Sequence, residues 1–251
     1  MSRIADRLGK LHKTSTPIGF GFAARQSSER RMLLLALFDS STTAESVGAL
    51  TGTVDAAVLR GAKLPEGMNS ATLPAGCWIA ADEALPEGLS HESCDFLISA
   101  VDGPASILAV EGLGWIPVVE QGAEASYLRA LAEVGADAIL VASNNIDLTC
   151  LSTFVELRRI RLLSSRPLFL SVATSVDADT LVSLSRAGVE GLIVPADAGL
   201  DSLRELGDTL ESTASRMKKS RKDESVAIVG RVVGAGVEEE QAEEGEEEDD
   251  D

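Results

Sequence analysis

Eight short apolar runs of strand length, separated by stretches that mostly carry helical periodicity, constrain the fold of this chain more than any other feature. Four runs follow an acidic residue: Asp55 before AAVLRGA, Asp95 before FLISAVD, Asp137 before AILVASN and Glu190 before GLIVPAD. Four others interleave with them, at 32–39 (MLLLALFD), 77–82 (CWIAAD), 115–120 (WIPVVE) and 167–174 (PLFLSVAT). The runs are continuously apolar, as expected where both faces of a parallel sheet are covered. Helical spacing fits 43–50, 124–134, 148–164, 179–187 and 200–217. The order is β then α, repeated, and eight parallel strands with short connections close most simply into a compact (β/α)8 barrel; an open doubly wound sheet is the alternative. Pro65, Gly67, Pro74 and Gly76 break any helical pattern after the second run, and the connection through 103–114 is short. Reduced helices are therefore expected between strands 2 and 5.

Four segments follow from this reading. Residues 1–31 form a basic N-terminal helix and linker, where Ile4, Leu8 and Leu11 make an apolar stripe among Arg3, Arg7, Lys10 and Lys13. Such a helix would plug or pack on the barrel, the other possibilities being a protein partner or an anionic surface. The barrel occupies 32–217. Residues 218–236 make a basic linker with a strand-like run at 225–233 (SVAIVGRVV), and 237–251 an acidic tail. That tail holds eight Glu and three Asp, 11 of the 18 excess negative charges. It repels itself and has little to bury, so disorder is expected, with a basic protein as the partner it would suit.

Composition excludes several function classes. No apolar run approaches the roughly 20 residues that span a bilayer. Cys77, Cys94 and Cys150 are odd in number and far apart, which fits reduced thiols and a cytoplasmic setting. An acidic chain with six Phe, two Trp and one Tyr offers few stacking platforms, so no specific nucleic acid is expected. His12 lies before the first strand and His91 just before another, away from the face where barrels do chemistry, so a histidine triad or zinc site is not expected. The glycines at 19–24 (GFGFAA) follow no strand and open no long helix, so they carry no dinucleotide site.

Barrel sites lie at the C-terminal strand ends. There the runs finish in Asp39, Asp82, Glu120 and Thr174, alternating with Lys63, Asp102, Asn144 and Asp197. Carboxylates in such a mouth suit a hard cation such as Mg2+, with Asp82 and Asp102 as ligands, or a small-molecule ligand rich in hydroxyls or amines. Capping of the following helix is the competing role for any Asp, Asn or Thr leaving a strand. Glu120 fits that role worst, glutamate being a poor N-cap, so it is the candidate general base. Asp39 joins it as a candidate acid–base group. Lys63 is a candidate anion or Schiff-base lysine, with Arg60 the one other cation near a strand end.

Residues 167–199 (PLFLSVATSVDADTLVSLSRAGVEGLIVPADAG), with Arg166 in front, resemble the last two units of aldolase-type phosphate-binding barrels such as indole-glycerol-phosphate synthase, thiamine-phosphate synthase and IMP dehydrogenase. The apolar framework around Ala187-Gly188-Val189-Glu190-Gly191 and Leu192-Ile193-Val194 matches. The glycines that approach phosphate do not: Ala173-Thr174 stands for the usual glycine pair, and Pro195-Ala196 for Gly-Ser. The resemblance implies the fold and leaves Thr174 and Gly199 as candidates for that role; together with the strand-end residues Asn144 and Asp197 they are the candidate substrate-binding residues. A small-molecule enzyme of lyase or isomerase type is the leading expectation. A non-catalytic barrel recruiting partners through its charged termini is the alternative.

Overall fold

A computed structural model of the chain describes residues 2–12, 30–61, 64, 65, 72–83, 85, 89, 94–142, 146–173 and 175–229. Eight parallel strands close into a barrel in sequence order, each paired with its neighbours and β1 with β8. The strands are β1 Leu33–Phe38, β2 Ala56–Arg60, β3 Ala75–Ile79, β4 Phe96–Ala100, β5 Gly114–Val119, β6 Ile139–Val141, β7 Leu168–Ser171 and β8 Val189–Pro195. The helices are α1 Arg3–His12, α2 Ala44–Gly48, α3 Ala125–Val134, α4 Leu151–Ser164, α5 Ala178–Ala187 and α6 Leu200–Val229. The closed barrel, not the open sheet, is the arrangement adopted.

Because side chains alternate across a strand, each run divides between two cores. Inward residues Leu33, Leu35, Val58, Phe96, Ile98, Ile116, Leu140, Phe169 and Ile193 fill the barrel. Outward residues such as Leu34, Leu59, Val141, Leu170 and Val194 meet the helices. Two large rings occupy the interior only because their neighbours lack side chains. A Cβ on Gly191 would come 2.6 Å from the Phe169 ring, and one on Gly76 would come 2.3 Å from Phe96. Both distances are far inside contact, so these two strand glycines are packing requirements.

The helical layer is incomplete as the glycine and proline pattern implied. Among the described residues no helix lies between β2 and β3 or between β3 and β4, and a single 3₁₀ turn, Ala105–Ala109, joins β4 to β5. A small cluster takes its place. Cys77, Ile79, Cys94, Leu97 and Ile107, with Leu64, Leu85 and Leu113 against them, cover the outer face of β3 and β4.

At the N-terminal end α1 plugs the barrel. Ile4 and Leu8 join the interior core, at 0% and 3% exposure. The acidic residues that precede the even strands hold this helix. Asp95 accepts from the Arg3 and Ile4 backbone N–H groups at 2.7 and 2.9 Å, and Ser2 Oγ donates to Asp137 at 3.2 Å. Arg7 pairs with Asp55, which also accepts from the Leu34 N–H at 2.8 Å. Glu190, fourth in the sequence pattern, differs: it faces outward from β8, is 1% exposed, and pairs with Arg161 at 3.7 Å.

One boundary moves. The run at 225–233 was expected to be strand-like, yet α6 continues through Val229, so its first five residues are helical. Short apolar runs do not distinguish strand from helix by periodicity, and a helix already in progress extends at little cost. Residues 230–251 lie outside the described residues.

Candidate functional site

The phase of alternation fixed by the interior core places Arg60 on β2 and Trp78 on β3 on the inward face, one layer above Val58 and Gly76. The two are register partners on adjacent strands. The Arg60 guanidinium lies 5.3 Å from the centroid of the Trp78 ring, a cation–π distance. Arg60 Nε is 3.8 Å from Asp39 Oδ1, the first residue beyond β1. Asp39 is 80% exposed and Arg60 56%, so this pair is open to solvent. Arg60, Asp39, Thr42 and Asp197 line a cavity of about 470 Å³ between the ends of β1, β2 and β8, floored by Leu37 and Pro195.

A second cavity, about 840 Å³, opens at the ends of β4, β5 and β6. It is lined by Asp102, Glu120, Gln121, Tyr127, Val118 and Ala142. Burial, and secondarily the Asp102 charge, push the Tyr127 hydroxyl above the ordinary tyrosine range. The Gly122 N–H beside Glu120 is engaged by Glu156 at 2.8 Å.

The candidate residues therefore divide. Asp39 and Asp197 share one cavity with Arg60, and Asp102 and Glu120 share the other. Asp82 stands in an exposed turn after β3 and lines neither. Among the described residues no three His, Cys, Asp or Glu side chains gather as a metal site, and Asp82 and Asp102 do not line one cavity together. Gly199 has φ of 90° and its N–H donates to the Ala196 carbonyl at 3.3 Å, closing a turn after β8. Lys63, Asn144 and Thr174 lie outside the described residues, as does His91.

Nor are the acidic strand ends helix caps. Thr43 caps α2 and Asp177 caps α5, accepting from Asp179 and Thr180 N–H at 2.9 Å, while α3 and α4 begin without a side-chain cap. What the strand-end reading missed is Trp78. It lies four residues before the end of its run, and only the inward phase of β3, invisible in a continuously apolar stretch, brings it to the mouth beside Arg60.

No protein-family model and no curated protein matches the chain. Solved structures of this fold do. A tryptophan synthase from M. tuberculosis, in an open form, superposes with TM-score 0.58 at 15% identity, covering 85% of this chain and 99% of that one. The tryptophan synthase alpha chain from Legionella pneumophila gives TM-score 0.57 at 13% identity, over 87% and 98%. A native KDPGal structure gives 0.54 at 14%, over 76% and 98%. At these identities the likeness is one of fold, a closed (β/α)8 barrel.

Proposed function

We propose that this barrel binds a small anionic metabolite at its C-terminal mouth, with Arg60 as the anion anchor, and acts on it as an enzyme of lyase or isomerase type. One observation carries the reading: an inward arginine stacked on an inward tryptophan at the open end of a barrel filled by apolar side chains below. A guanidinium offers two parallel donors to a carboxylate or phosphate, and the indole face holds it in place. Asp39 keeps Arg60 oriented until the anion displaces it.

Glu120, directly after β5, is the proton-transferring group in this proposal, with Tyr127 and Asp102 beside it in the same cavity. A carboxylate there suits removal of a proton next to a carbonyl, the step shared by many aldol-type cleavages and isomerisations. Binding without chemistry is the second reading, favoured by the exposure of Asp39 and Glu120 to water.

Thermal unfolding of the full chain tests both. A saturating carboxylated or phosphorylated three- to six-carbon metabolite, at about 100 times its Kd, should stabilise by about 2.7 kcal/mol, a shift of roughly 5–10 °C for a domain of this size. Running each ligand with and without Mg2+ tests the metal separately. Arg60→Gln should cut the shift to about half or less at the same ligand concentration. Glu120→Gln should keep it and abolish turnover; a variant that keeps both assigns Glu120 no chemical role.

A further inference from the structure

The opposite end of the barrel carries a groove of about 870 Å³ beside α1. Arg7, Lys10, Arg30 and Arg31 line it against two carboxylates, Asp55 and Glu211. Arg30 is committed to Glu211 at 3.0 Å and to Asp55 at 3.9 Å, and Arg7 to Asp55 at 3.8 Å. Lys10 and Arg31 have no carboxylate partner among the described residues; Arg31 donates to the Leu11 carbonyl at 2.9 Å. The groove is thus locally positive in a chain whose net charge is −18.

α6 determines what can reach it. The helix starts at the mouth after β8 and runs back along the barrel, so that Glu211 meets Arg30 at the N-terminal face and Met217 is the last buried residue described. From there α6 continues to Val229, about 18 Å further at 1.5 Å per residue. The chain beyond therefore departs from the groove's own end of the barrel. It carries the eight Glu and three Asp of 237–251. Twenty-two residues can span up to about 70 Å, so reach sets no limit.

We propose that the acidic segment 237–251 docks into this groove within the same molecule, its carboxylates taking Lys10 and Arg31 as partners. Tethering supplies an effective concentration on the order of millimolar, so a contact too weak to form between separate molecules is occupied here. The sequence holds a rival site in the basic stretch Arg216, Lys218, Lys219, Arg221 and Lys222. A concave surface strengthens each ion pair more than an open helix face does, which favours the groove.

Paramagnetic broadening decides the matter. In the full chain with Cys150→Ser, a nitroxide on Ala242→Cys reports where the segment rests, Cys77 and Cys94 being buried. Selective loss of amide intensity at Lys10, Arg31, Thr51 and Gly52 is expected, with recovery in about 1 M NaCl, where the Debye length is about 3 Å. Lys10→Glu, at an exposed position, should weaken the loss, and Lys10→Glu with Arg31→Glu should remove it in a chain that still melts cooperatively. Loss confined to 216–222, uniform loss, or loss unchanged in the folded double variant would each overturn the proposal. So would loss seen on ¹⁵N-labelled chains mixed with separate spin-labelled ones, which would place the segment on a second copy.

Discussion

Arg60 concentrates the proposal at the scale of a single residue. A charged hydrogen-bonding group is worth about 1.5–3 kcal/mol to the ligand it holds, so Arg60→Gln should raise the Kd of an anionic ligand roughly 10- to 100-fold in calorimetric titration. Stability should hardly change, because its pairing with Asp39 is exposed. Gly191 makes the opposite prediction. Gly191→Ala leaves the mouth untouched but drives a methyl group into the Phe169 ring, and overpacking of this kind costs about 1–3 kcal/mol in urea unfolding. Much of the residue-scale site could be read from the strand ends, since Asp39, Asp102, Glu120 and Asp197 do line mouth cavities. How they group was not legible, because grouping depends on inward phase and barrel closure, and neither leaves a mark in a continuously apolar run.

At the scale of the element, α1 shows what the recurring acidic residues are for. Asp55, Asp95 and Asp137 all engage the segment 2–7, so a pattern visible as a sequence repeat is a clasp for the N-terminal helix. Asp95→Ala removes the acceptor of two helix-start N–H groups and leaves them without it beside the barrel floor. A loss of about 1–3 kcal/mol is expected, with faster amide exchange over residues 4–12 than over the strands. Asp55 and Asp137 add a pH dependence. Burial is the largest influence on each and raises the carboxyl above the ordinary aspartate range, outweighing the Leu34 N–H and the arginines at Asp55 and the Ser2 hydroxyl at Asp137. The folded chain therefore holds these protons more tightly than the unfolded one. Their contribution is fully present below the unfolded value of about 3.9 and is lost as pH rises through the raised folded values. Replacing both with Asn should flatten the stability–pH curve in that window, measured by urea midpoints across it.

For the whole molecule, topology was the most legible level. Eight interleaved apolar runs specify eight parallel strands, and the glycines and prolines of 65–76 mark where the helical layer thins. The extent of α6 was not legible, because Val226, Ile228 and Val229 suit a strand by local preference and the preceding helix decides otherwise. The barrels that 167–199 resemble bind phosphate at their last two strands, where this chain keeps only Thr174 and Gly199 as candidates, whereas the inward Arg60 is on β2. Moving the anion site from β7–β8 to β2–β3 is the central functional claim, and Trp78 reports on it directly. In a Trp115→Phe chain, Trp78 is the only tryptophan. Titration with anionic metabolites should change its emission saturably, and Arg60→Gln should move the midpoint of that change roughly 10- to 100-fold higher in ligand. Stabilisation by a ligand that leaves Trp78 emission unaltered, or an emission change indifferent to Arg60→Gln, would contradict the β2–β3 anion site.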